Sequence, residues 1–492
     1  MDEKRLETYF KEKKMGIGLV MYGAGKRCIG LYKVLTSLGI TILLIVDSDN
    51  KKWGTKIGSI LIESPEKMRA YPNEKVCITV ADRSVFVEIK QLLQDKYRYR
   101  EENIISYNKL IVEAYYNSAL IKNLLEAEIQ QKSEISILFD CINGLGLGGV
   151  EAWTLDLCKA LAEDCESYEY IITDNKQYNN SNALAKHILS TDINHEERFS
   201  VDTIKCLVKI ILEKMPCKVV TSLTNEMMLA AYLVKRKYPN MVGVISVIHN
   251  GKESIYLEHL DFKECIDLFI GVSQDIRRDM IQRGIVPDKI YSMTCPFTCE
   301  EVLIRTYTEN RDSPICIGYA GRIEYEQKRM DLLIKFVELL VNRKVNFKME
   351  LAGDGLAKEE MEKFIIENNL DKYVMFLGKL HREEIPKFWQ RQDICVNLAD
   401  FEGRCISKME AMANGAVPII TAVAGAQEDI ANDVNGYIVP VGDYISVADK
   451  VEFLERHRER LAEMGKKAHD EVYPKSLMEP HLVFWKNILY GT

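Results

Sequence analysis

Short apolar runs alternate with amphipathic stretches along most of the chain. Such runs are typical of strands buried on both faces, and the stretches between them carry helical spacing of apolar residues. This strand–helix–strand order predicts parallel sheets with right-handed crossovers, and hence an α/β fold. The predicted strands lie within GIGLVMYGAG, ITILLIVDSD, VCITVAD, ISILFD, YEYIIT, KVVTSL, VGVISVIH, DLFIGVS, PICIGYAGR, FKMELAGDG, VMFLGKL, ICVNLAD, VPIITAVAG and GYIVPVG.

The predicted strands fall into three successive groups, which predict three Rossmann-like doubly wound units. The length of 492 residues agrees with this number, since a domain takes roughly 150 residues. Helical spacing also predicts a connecting helix at 114–132 and a final helix at 475–489. The predicted boundaries are 1–118 for the N-terminal unit, 119–134 for a linker helix, 135–305 for the second unit, 306–474 for the third unit and 475–492 for the C-terminal helix.

Composition narrows the class of protein. The net charge is −8, whereas a nucleic-acid partner requires a basic surface. The 13 cysteines show no regular spacing, which indicates reduced thiols. Nine of the first fourteen residues are charged, and the strongest apolar stretch, Ile40 to Val46, is too short to span a bilayer. We therefore expect a cytoplasmic protein without a nucleic-acid partner, and peripheral contact with the inner face of a membrane stays open.

The first glycine-rich turn, GAGKRCIG, follows a predicted strand. Gly23 and Gly25 match the start of the dinucleotide motif G-x-G-x-x-G, but Cys28 stands at the third position. Asp47 ends the next strand, where an acidic residue could meet a ribose hydroxyl. Two interpretations stay open, a nucleotide at the N-terminus of the following helix and a tight turn without a ligand.

Two further patterns belong to the N-terminal unit. Asp47 and Asp49 spell the DxD motif of metal-dependent glycosyltransferases, although its place after a Rossmann-like turn argues against that role. The strand-GAG-helix-strand-DSD order, followed by KKWGTKIGSILI, resembles the N-terminal domain of bacterial sugar acyltransferases. This resemblance covers about 110 residues and rests on short motifs.

A second glycine-rich turn precedes a predicted helix in the second unit. Gly148 and Gly149 end the run INGLGLGG, and such a turn lets the backbone approach an anion at a helix N-terminus. The alternative is a flexible loop. His249 ends the strand VISVIH, at the sheet edge where α/β proteins bind ligands, although a structural histidine is equally compatible with that position.

The third unit contains most of the candidate catalytic and binding residues. Arg322 and Lys328 follow a strand, and two cations there suit a diphosphate, although solvated loop charges are the ordinary alternative. Glu402 and Glu410 are separated by seven residues, with Glu402 in a loop and Glu410 on the next helix. Ser407 and Glu410 also fit a helix-capping box, S-x-x-E, which gives Glu410 a purely structural interpretation.

These motifs, in this order, resemble the family 4 glycosyltransferases, which are retaining enzymes with the GT-B fold. The resemblance covers the chain from about Ile135 onward. It rests on GGVE, the strand-end His249, VSQDI, GR…QK, FEGRCISKMEAMANG and AGAQEDI…NGYIV. It implies that the second and third units form one GT-B enzyme, with the N-terminal unit as an added module.

The family pattern implies a role for each matching residue. Glu402 would contact the donor sugar, and Glu410 the ribose hydroxyls. His249 would lie near the reacting sugar and the acceptor. Arg322 and Lys328 would neutralise the departing diphosphate. The remaining residues implied in binding the donor are Gly148, Gly149, Gly353, Gly403, Cys405 and Ile406.

Two positions depart from the common EGFG motif of this family. Arg404 replaces an aromatic residue and Cys405 replaces a glycine, which puts the geometry of the phosphate loop in question. The common Lys-Gly pair is Lys328-Arg329 here. These departures motivate a second hypothesis, in which a degenerate GT-B protein serves as a nucleotide-sugar sensor or an interaction module.

The resemblance implies that a sugar moves from a nucleotide-diphosphate donor, UDP-glucose or UDP-N-acetylglucosamine, to a saccharide or lipid-linked acceptor of a cell surface. No metal is required for that chemistry, and Cys295 and Cys299 lack partners at zinc spacing. A nucleophilic carboxylate is not identifiable, which favours front-face departure of the diphosphate. No other cofactor is expected, apart from a second nucleotide at Gly23 and Gly25. A sugar-nucleotide epimerase and a dehydrogenase are the remaining alternatives.

Overall fold

Three β-sheets organise the computed structural model, which describes residues 18–80, 83–126, 134–141, 149–164, 168–174, 188–191, 198–222, 225–308 and 310–491. The sheets follow one another along the chain and have six, seven and six strands. In all three sheets, helices connect parallel strands, so the predicted α/β class with Rossmann-like units is confirmed.

The first sheet has the strand order β3-β4-β2-β1-β5-β6. Its strands are β1 Leu19–Tyr22, β2 Ile42–Val46, β3 Lys56–Ile57, β4 Ile60–Glu63, β5 Lys75–Ile78 and β6 Ile104–Ile105. Its helices are α1 Lys26–Ser37, α2 Arg83–Asp95, α3 Tyr107–Asn117 and α4 Ala119–Leu125. Only the hairpin of β3 and β4 pairs antiparallel among the described pairs of this sheet.

The second sheet has the order β13-β12-β11-β10-β7-β8-β9. Its strands are β7 Ser136–Cys141, β8 Tyr168–Asp174, β9 Ile188–Thr191, β10 Cys217–Thr221, β11 Val242–Ile248, β12 Leu268–Gly271 and β13 Ile290–Ser292. Its helices are α5 Gly149–Asp164, α6 Val201–Lys214, α7 Asn225–Lys237, α8 Glu253–Asp261 and α9 Gln274–Gln282.

The third sheet is parallel throughout its described pairs and has the order β16-β15-β14-β17-β18-β19. Its strands are β14 Ile315–Ala320, β15 Phe347–Ala352, β16 Val374–Gly378, β17 Ile394–Asn397, β18 Val417–Thr421 and β19 Tyr437–Val439. Its helices are α10 Met330–Asn342, α11 Lys358–Glu367, α12 Ile385–Gln390, α13 Ile406–Ala413, α14 Tyr444–Arg456, α15 Glu459–Ser476 and α16 Met478–Tyr490. The chain reverses its direction of travel across the sheet between the neighbours β14 and β17, and α/β folds bind ligands beside such a point.

The core of the third sheet explains why its strands read as apolar runs. Ile317, Met349 and Val396 come from three different strands and are fully buried or nearly so. Helix α10 covers them with an apolar face that includes Phe336 and Leu340. Burying each of these side chains contributes roughly 1.5–3 kcal/mol, so the strands hold their loop ends in a defined arrangement.

Two predicted helices differ from those observed. The connecting helix is interrupted at Ser118, whose side chain accepts a hydrogen bond from the backbone of Ile121 and so starts a new helix. The last helix begins at Met478 rather than at residue 475, because Leu477 is extended and separates it from α15. Residues 127–133 of the predicted linker lie outside the described residues, and the domain boundaries stay predictions.

The chain divides into two compact units. One comprises Met1–Ser246 with Glu253–Phe269, and the other comprises Val247–Lys252 with Ile270–Thr492. The second unit contains the whole third sheet together with α9 and the segment 247–252. Among the described helices, none is both long and apolar enough to cross a membrane.

Candidate active site

The loops after β14 and β17 bring several predicted residues together beside the point where the third sheet reverses. Arg322 lies two residues beyond the end of β14, and Glu402 lies five residues beyond the end of β17. Because the two strands are parallel neighbours, their carboxyl ends open at one edge of the sheet. The predicted cations and the predicted carboxylate therefore share one location within the second compact unit.

The carboxylate of Glu402 is buried and held by three side chains. Its Oε1 atom accepts hydrogen bonds from Lys328 and, at 3.5 Å, from Asn397. Its Oε2 atom accepts a hydrogen bond of 3.2 Å from Gln327. Burial disfavours the charge on Lys328, but the adjacent Glu402 outweighs burial and raises the pKa of Lys328. Lys328 is therefore charged, and its contact, together with those of Gln327 and Asn397, gives the Glu402 side chain a fixed orientation.

Gln327 connects Glu402 with Arg322, and sequence reasoning did not assign it a role. Its Oε1 atom accepts a hydrogen bond of 2.6 Å from Arg322, while its Nε2 atom donates to the carbonyl of Phe401 and to Glu402. A glutamine suits this place because one amide supplies both a donor and an acceptor. The signal was present as the polar residue before Lys328 in the GR…QK motif.

Gly403 brings the Glu402 loop against the strand-end histidine. A Cβ atom on Gly403 would lie 2.1 Å from the carbonyl oxygen of His249. The backbone of Gly251 also donates a hydrogen bond of 3.0 Å to the carbonyl of Glu402. His249 Nδ1 lies 3.9 Å from the thiol of Cys295. The structure therefore brings His249 and Glu402 together, as two backbones in close contact.

Gly353 has a backbone reason to be glycine. Its φ angle is +145°, and a Cβ atom there would lie 1.8 Å from the carbonyl oxygen of Gly321. The backbone of Ile323 donates to the carbonyl of Asp354 at 2.9 Å, which joins the loops after β14 and β15. Gly353 thus supports the segment that carries Arg322, and its predicted contact with the donor stays a prediction.

The predicted capping box of Ser407 and Glu410 at the N-terminus of α13 is wrong. Cys405, not Ser407, is the N-cap residue, so Ser407 is already the second residue of the helix after Ile406. The thiol of Cys405 instead accepts a hydrogen bond of 3.0 Å from Asn397. Among the described residues, no side chain caps this helix end. Its first N–H groups and its dipole can therefore serve an anion.

Glu410 lies one turn along α13 and is partly buried. Burial raises its pKa to about 7, and Arg382 opposes that rise. Within the part of the chain that the structure describes, its carboxylate makes no hydrogen bond or ion pair. The ordinary explanation as a helix cap is excluded by the position of Cys405. A partly buried carboxylate of this kind is suited to accept hydrogen bonds from neutral hydroxyl groups.

Arg404, the main departure from the family motif, is turned away from Glu402. Its guanidinium donates to Glu428 at 2.8 Å and to Asp429 at 2.5 Å. The Glu402, Lys328 and Gln327 contacts are therefore formed despite the substitution, and the sensor hypothesis loses the observation that motivated it. Arg329, the second departure, pairs with Asp331 and Asp400.

The glycine-rich turn of the second unit is described only in part. Gly149 begins α5 and is exposed, within the first compact unit. Gly148 lies outside the described residues. The structure therefore leaves the predicted contact of both glycines with donor phosphate as a prediction.

The turn at Gly23 and Gly25 is occupied by its own carboxylate. Asp47 accepts hydrogen bonds from the backbone of Ala24 at 2.6 Å and of Asp49 at 2.8 Å, and it pairs with Lys52 at 2.9 Å. Burial would raise the pKa of Asp47, but these hydrogen bonds and Lys52 lower it. Asp47 thus supports the turn itself, and the predicted nucleotide there stays a prediction.

The described cysteines and acidic residues carry no visible metal chemistry. Among the residues that the structure describes, no group of three or more histidine, cysteine, aspartate or glutamate side chains could hold a metal ion. The twelve described cysteines are free thiols. Burial raises the pKa of the Cys295 thiol to about 12, so it is protonated at neutral pH.

The third sheet and its loops match a known family. Residues 303–471 match the family model described as "Glycosyl transferases group 1". This range contains Arg322, Lys328, Glu402 and Glu410. The second and third sheets each reverse their strand order at a central pair of strands. This order, the family match and the likeness to solved structures together identify the GT-B architecture of glycosyltransferases for these two sheets.

Three known proteins illustrate this likeness. The lipopolysaccharide 1,6-galactosyltransferase of Escherichia coli K12 is 28% identical over 194 residues, which is 38% of this chain and 52% of that protein. The poly(ribitol-phosphate) alpha-N-acetylglucosaminyltransferase of Staphylococcus aureus is 28% identical over 173 residues, 35% of this chain and 34% of that protein. The solved structure of Anabaena Alr3699/HepE in complex with UDP-glucose has a TM-score of 0.57 at 15% identity, covering 72% of this chain and 100% of that chain. The matched segments thus span about a third to a half of the two curated relatives.

Proposed function

We propose that this protein is a retaining glycosyltransferase of family 4. It transfers a sugar from a nucleotide-diphosphate donor, UDP-glucose or UDP-N-acetylglucosamine, to a surface polysaccharide or glycolipid acceptor on the cytoplasmic side of a membrane. The observation that carries the proposal is the cluster of Arg322, Gln327, Lys328 and Glu402 beside the N-terminus of α13. The relatives named as a galactosyltransferase and an N-acetylglucosaminyltransferase support the donor class.

In the proposed reaction, the bond between the anomeric carbon and the β-phosphate oxygen breaks, and negative charge develops on the departing diphosphate. Lys328 and Arg322 supply positive charge there, and the N–H groups at the start of α13 supply hydrogen bonds. Before the donor arrives, Lys328 is held by its buried pairing with Glu402, and Arg322 by its hydrogen bond to Gln327. Little reorganisation then opposes the charge as it develops. The cluster is therefore suited to stabilise the leaving group.

The acceptor hydroxyl attacks the face that the diphosphate leaves, so the configuration at the anomeric carbon is retained. The departing phosphate oxygen takes the acceptor proton in this proposal, which balances the charge without a protein nucleophile. Glu402 accepts hydrogen bonds from hydroxyls of the transferred sugar, and Glu410 accepts from the ribose. The backbone of His249 lies against the Glu402 loop, and in this proposal its side chain contacts the reacting sugar and the acceptor.

The direct test uses purified protein, a panel of labelled nucleotide-sugars and a saccharide acceptor mixture. We expect sugar transfer, or slow hydrolysis of the donor, with at least one UDP-sugar and retention at the anomeric carbon by NMR. Products formed from UDP-N-acetylglucosamine without an acceptor would instead indicate an epimerase. Absence of transfer, hydrolysis and nucleotide binding across the panel would overturn the proposal.

A further inference from the structure

A group of charged residues with a buried centre lies behind the Glu402 loop, in the second compact unit. We call it the charge junction, and its members are Asp275, Arg404, Lys408, Glu428, Asp429 and Lys475. Its residues come from α9, the loop after β17, α13, the loop after β18 and α15. Buried ion pairs are costly to assemble and costly to break singly, so a cluster of this size calls for a functional explanation.

Asp429 is the centre of the charge junction and is 2% exposed. It accepts hydrogen bonds from Arg404 at 2.5 Å, from Lys475 at 2.8 Å and from Lys408. Burial would raise its pKa, but the three cations lower it to about 2. Asp429 is therefore ionised at all ordinary pH values, and it holds Arg404 and Lys408 in place.

Arg404 connects this centre to a second carboxylate. Its other terminal nitrogen donates to Glu428 at 2.8 Å, and Glu428 accepts hydrogen bonds from the backbones of Gln274 and Asp275, at 2.7 and 3.3 Å. Asp275 in turn accepts from the backbone of Gly425 at 2.9 Å. The first turn of α9, which follows a strand of the second sheet, is thus tied to a loop that follows a strand of the third sheet.

The position of Arg404 in the loop gives these contacts a consequence. Arg404 lies between Glu402, which faces Lys328 and Gln327, and Cys405, which is the N-cap residue of α13. Gly403 fixes one side of the loop against His249, while Arg404 fixes the other side against Asp429. A shift of Arg404 would move both the carboxylate of Glu402 and the N–H groups of α13.

We propose that Arg404 is a positioning residue, which holds the Glu402 loop and the start of α13 in their donor-binding arrangement by bridging Asp429 and Glu428. The inference rests on the proposed function, because that function assigns this loop to the donor. Arginine is required because its planar fork reaches two carboxylates at once, whereas a lysine ammonium is a single point charge.

The test compares R404K and R404M with R343M, a matched control. Arg343 also pairs with two carboxylates, Asp449 at 2.7 Å and Glu452 at 3.2 Å, but these contacts join the C-terminal end of α10 to the middle of α14. Affinities for UDP and UDP-glucose are measured by calorimetry, well below each melting temperature. Hydrogen–deuterium exchange is followed over residues 402–413 and 274–282.

We expect R404M to bind both nucleotides about tenfold or more weakly than the wild type, with R404K in between, since charged hydrogen bonds are among the stronger contacts that hold a loop. Exchange should rise in both segments for R404M. R343M should lower the melting temperature without changing affinity. If R404M does not fold, E428Q replaces it, because that variant removes the charge opposite Arg404 and keeps an acceptor for α9.

Wild-type affinity together with wild-type exchange in R404M, or in E428Q where that variant replaces it, would overturn the inference. Equal losses of affinity in R404M and R343M would also overturn it, because they would reflect general destabilisation. If the wild type binds no nucleotide, the proposed function fails. The exchange measurement still decides whether Arg404 orders the loop, so the two failures are distinguishable.

Discussion

The turn after β1 and the loops after β14 and β17 all connect a parallel strand to a helix. They differ in the charged groups that lie at the start of that helix. At the first, Asp47 accepts hydrogen bonds from Ala24 and Asp49 and pairs with Lys52, so a carboxylate of the chain already lies at the turn. At the second, the described side chains leave the N-terminus of α13 uncapped, and Lys328 lies nearby. A glycine-rich sequence after a strand therefore does not by itself distinguish a turn filled by its own carboxylate from one that precedes an uncapped helix N-terminus.

The largest expected effect comes from E402Q at the third-sheet site. The amide keeps the shape but removes the charge that pairs with Lys328 and that, in the proposed function, accepts hydrogen bonds from sugar hydroxyls. We expect the turnover of donor to fall by about 100-fold or more, as for loss of a directly contacting polar group. Steady-state kinetics with a UDP-sugar measure it, and circular dichroism monitors the fold.

The matched control for E402Q is E350Q, since Glu350 also accepts from two side chains, Arg391 and Gln392, but from a position on β15. Turnover by E350Q should equal that of the wild type. If E402Q retained full turnover, the assignment of the third-sheet site would be wrong, and the contrast with the N-terminal turn would lose its meaning.

The second effect is a difference in stability between alanine variants of two glycines, Gly403 at the third-sheet site and Gly25 in the N-terminal turn. G403A places a Cβ atom 2.1 Å from the carbonyl oxygen of His249, against backbone atoms of His249 and Asn250, whereas nothing lies within 4 Å of a Cβ atom at Gly25. We expect G403A to lower the free energy of unfolding by about 3 kcal/mol, at the upper end for overpacking. G25A should change it by less than about 1 kcal/mol. Chemical denaturation measures both, and similar values for the two variants would contradict the packing argument.

The third effect is the pH dependence of donor binding through Glu410. Its pKa of about 7 means that protons compete with hydroxyl donors below neutral pH. If only the ionised form binds, the affinity for UDP should fall about tenfold between pH 8 and pH 6, from one proton per site. Calorimetric titrations at several pH values test this, and E410Q should show no such dependence.

The same carboxyl group affects stability with the opposite sign. A pKa raised in the folded state makes the ionised form unfavourable, so Glu410 lowers stability as the pH rises from about 4.5 to about 7. The ligand-free E410Q variant should therefore melt at a higher temperature than the wild type at pH 8, and at a similar temperature at pH 5. A lower melting temperature at pH 8 would show that Glu410 has a stabilising role.

The last expected effect is a loss of stability in D47A, in the N-terminal turn. Loss of the carboxylate leaves the N–H group of Ala24 and the ammonium of Lys52 without this acceptor, which costs about 1–3 kcal/mol. The pKa of Asp47 is lowered in the fold, so its contribution is present at neutral pH and disappears as the pH falls through that lowered pKa. Thermal melting at pH 7 measures the loss.

D47A also sharpens the comparison between the two turns. Its affinity for UDP should stay at the wild-type value if donor binding belongs to the third sheet alone. A large change in nucleotide stoichiometry would instead support the second nucleotide predicted at Gly23 and Gly25. Mass spectrometry of nucleotides that copurify with the wild type and with D47A distinguishes these results.

The fold class and the third-sheet cluster were predictable for different reasons. Apolar runs such as ICIGYA and VPIIT indicate buried strands directly, because parallel strands covered on both faces tolerate few polar residues. Arg322, Lys328, Glu402 and Glu410 followed from motif order. The capping box at Ser407 failed because a four-residue pattern does not determine which residue begins the helix. Gln327 was missed because its role depends on bridging two partners. One partner, Glu402, lies more than seventy residues away in the chain, and the other, Arg322, lies five residues away.

The sequence by itself determined the succession of strands and helices, the three sheets and the types of residue available for a diphosphate. These features depend on local spacing and on burial, both of which the chain order records. Only the tertiary structure decided that Asp47 fills its own turn, that Gly403 lies on His249 and that Arg404 faces Asp429. Such contacts join residues far apart in the chain, so the distance and direction between them arise from sheet order and packing.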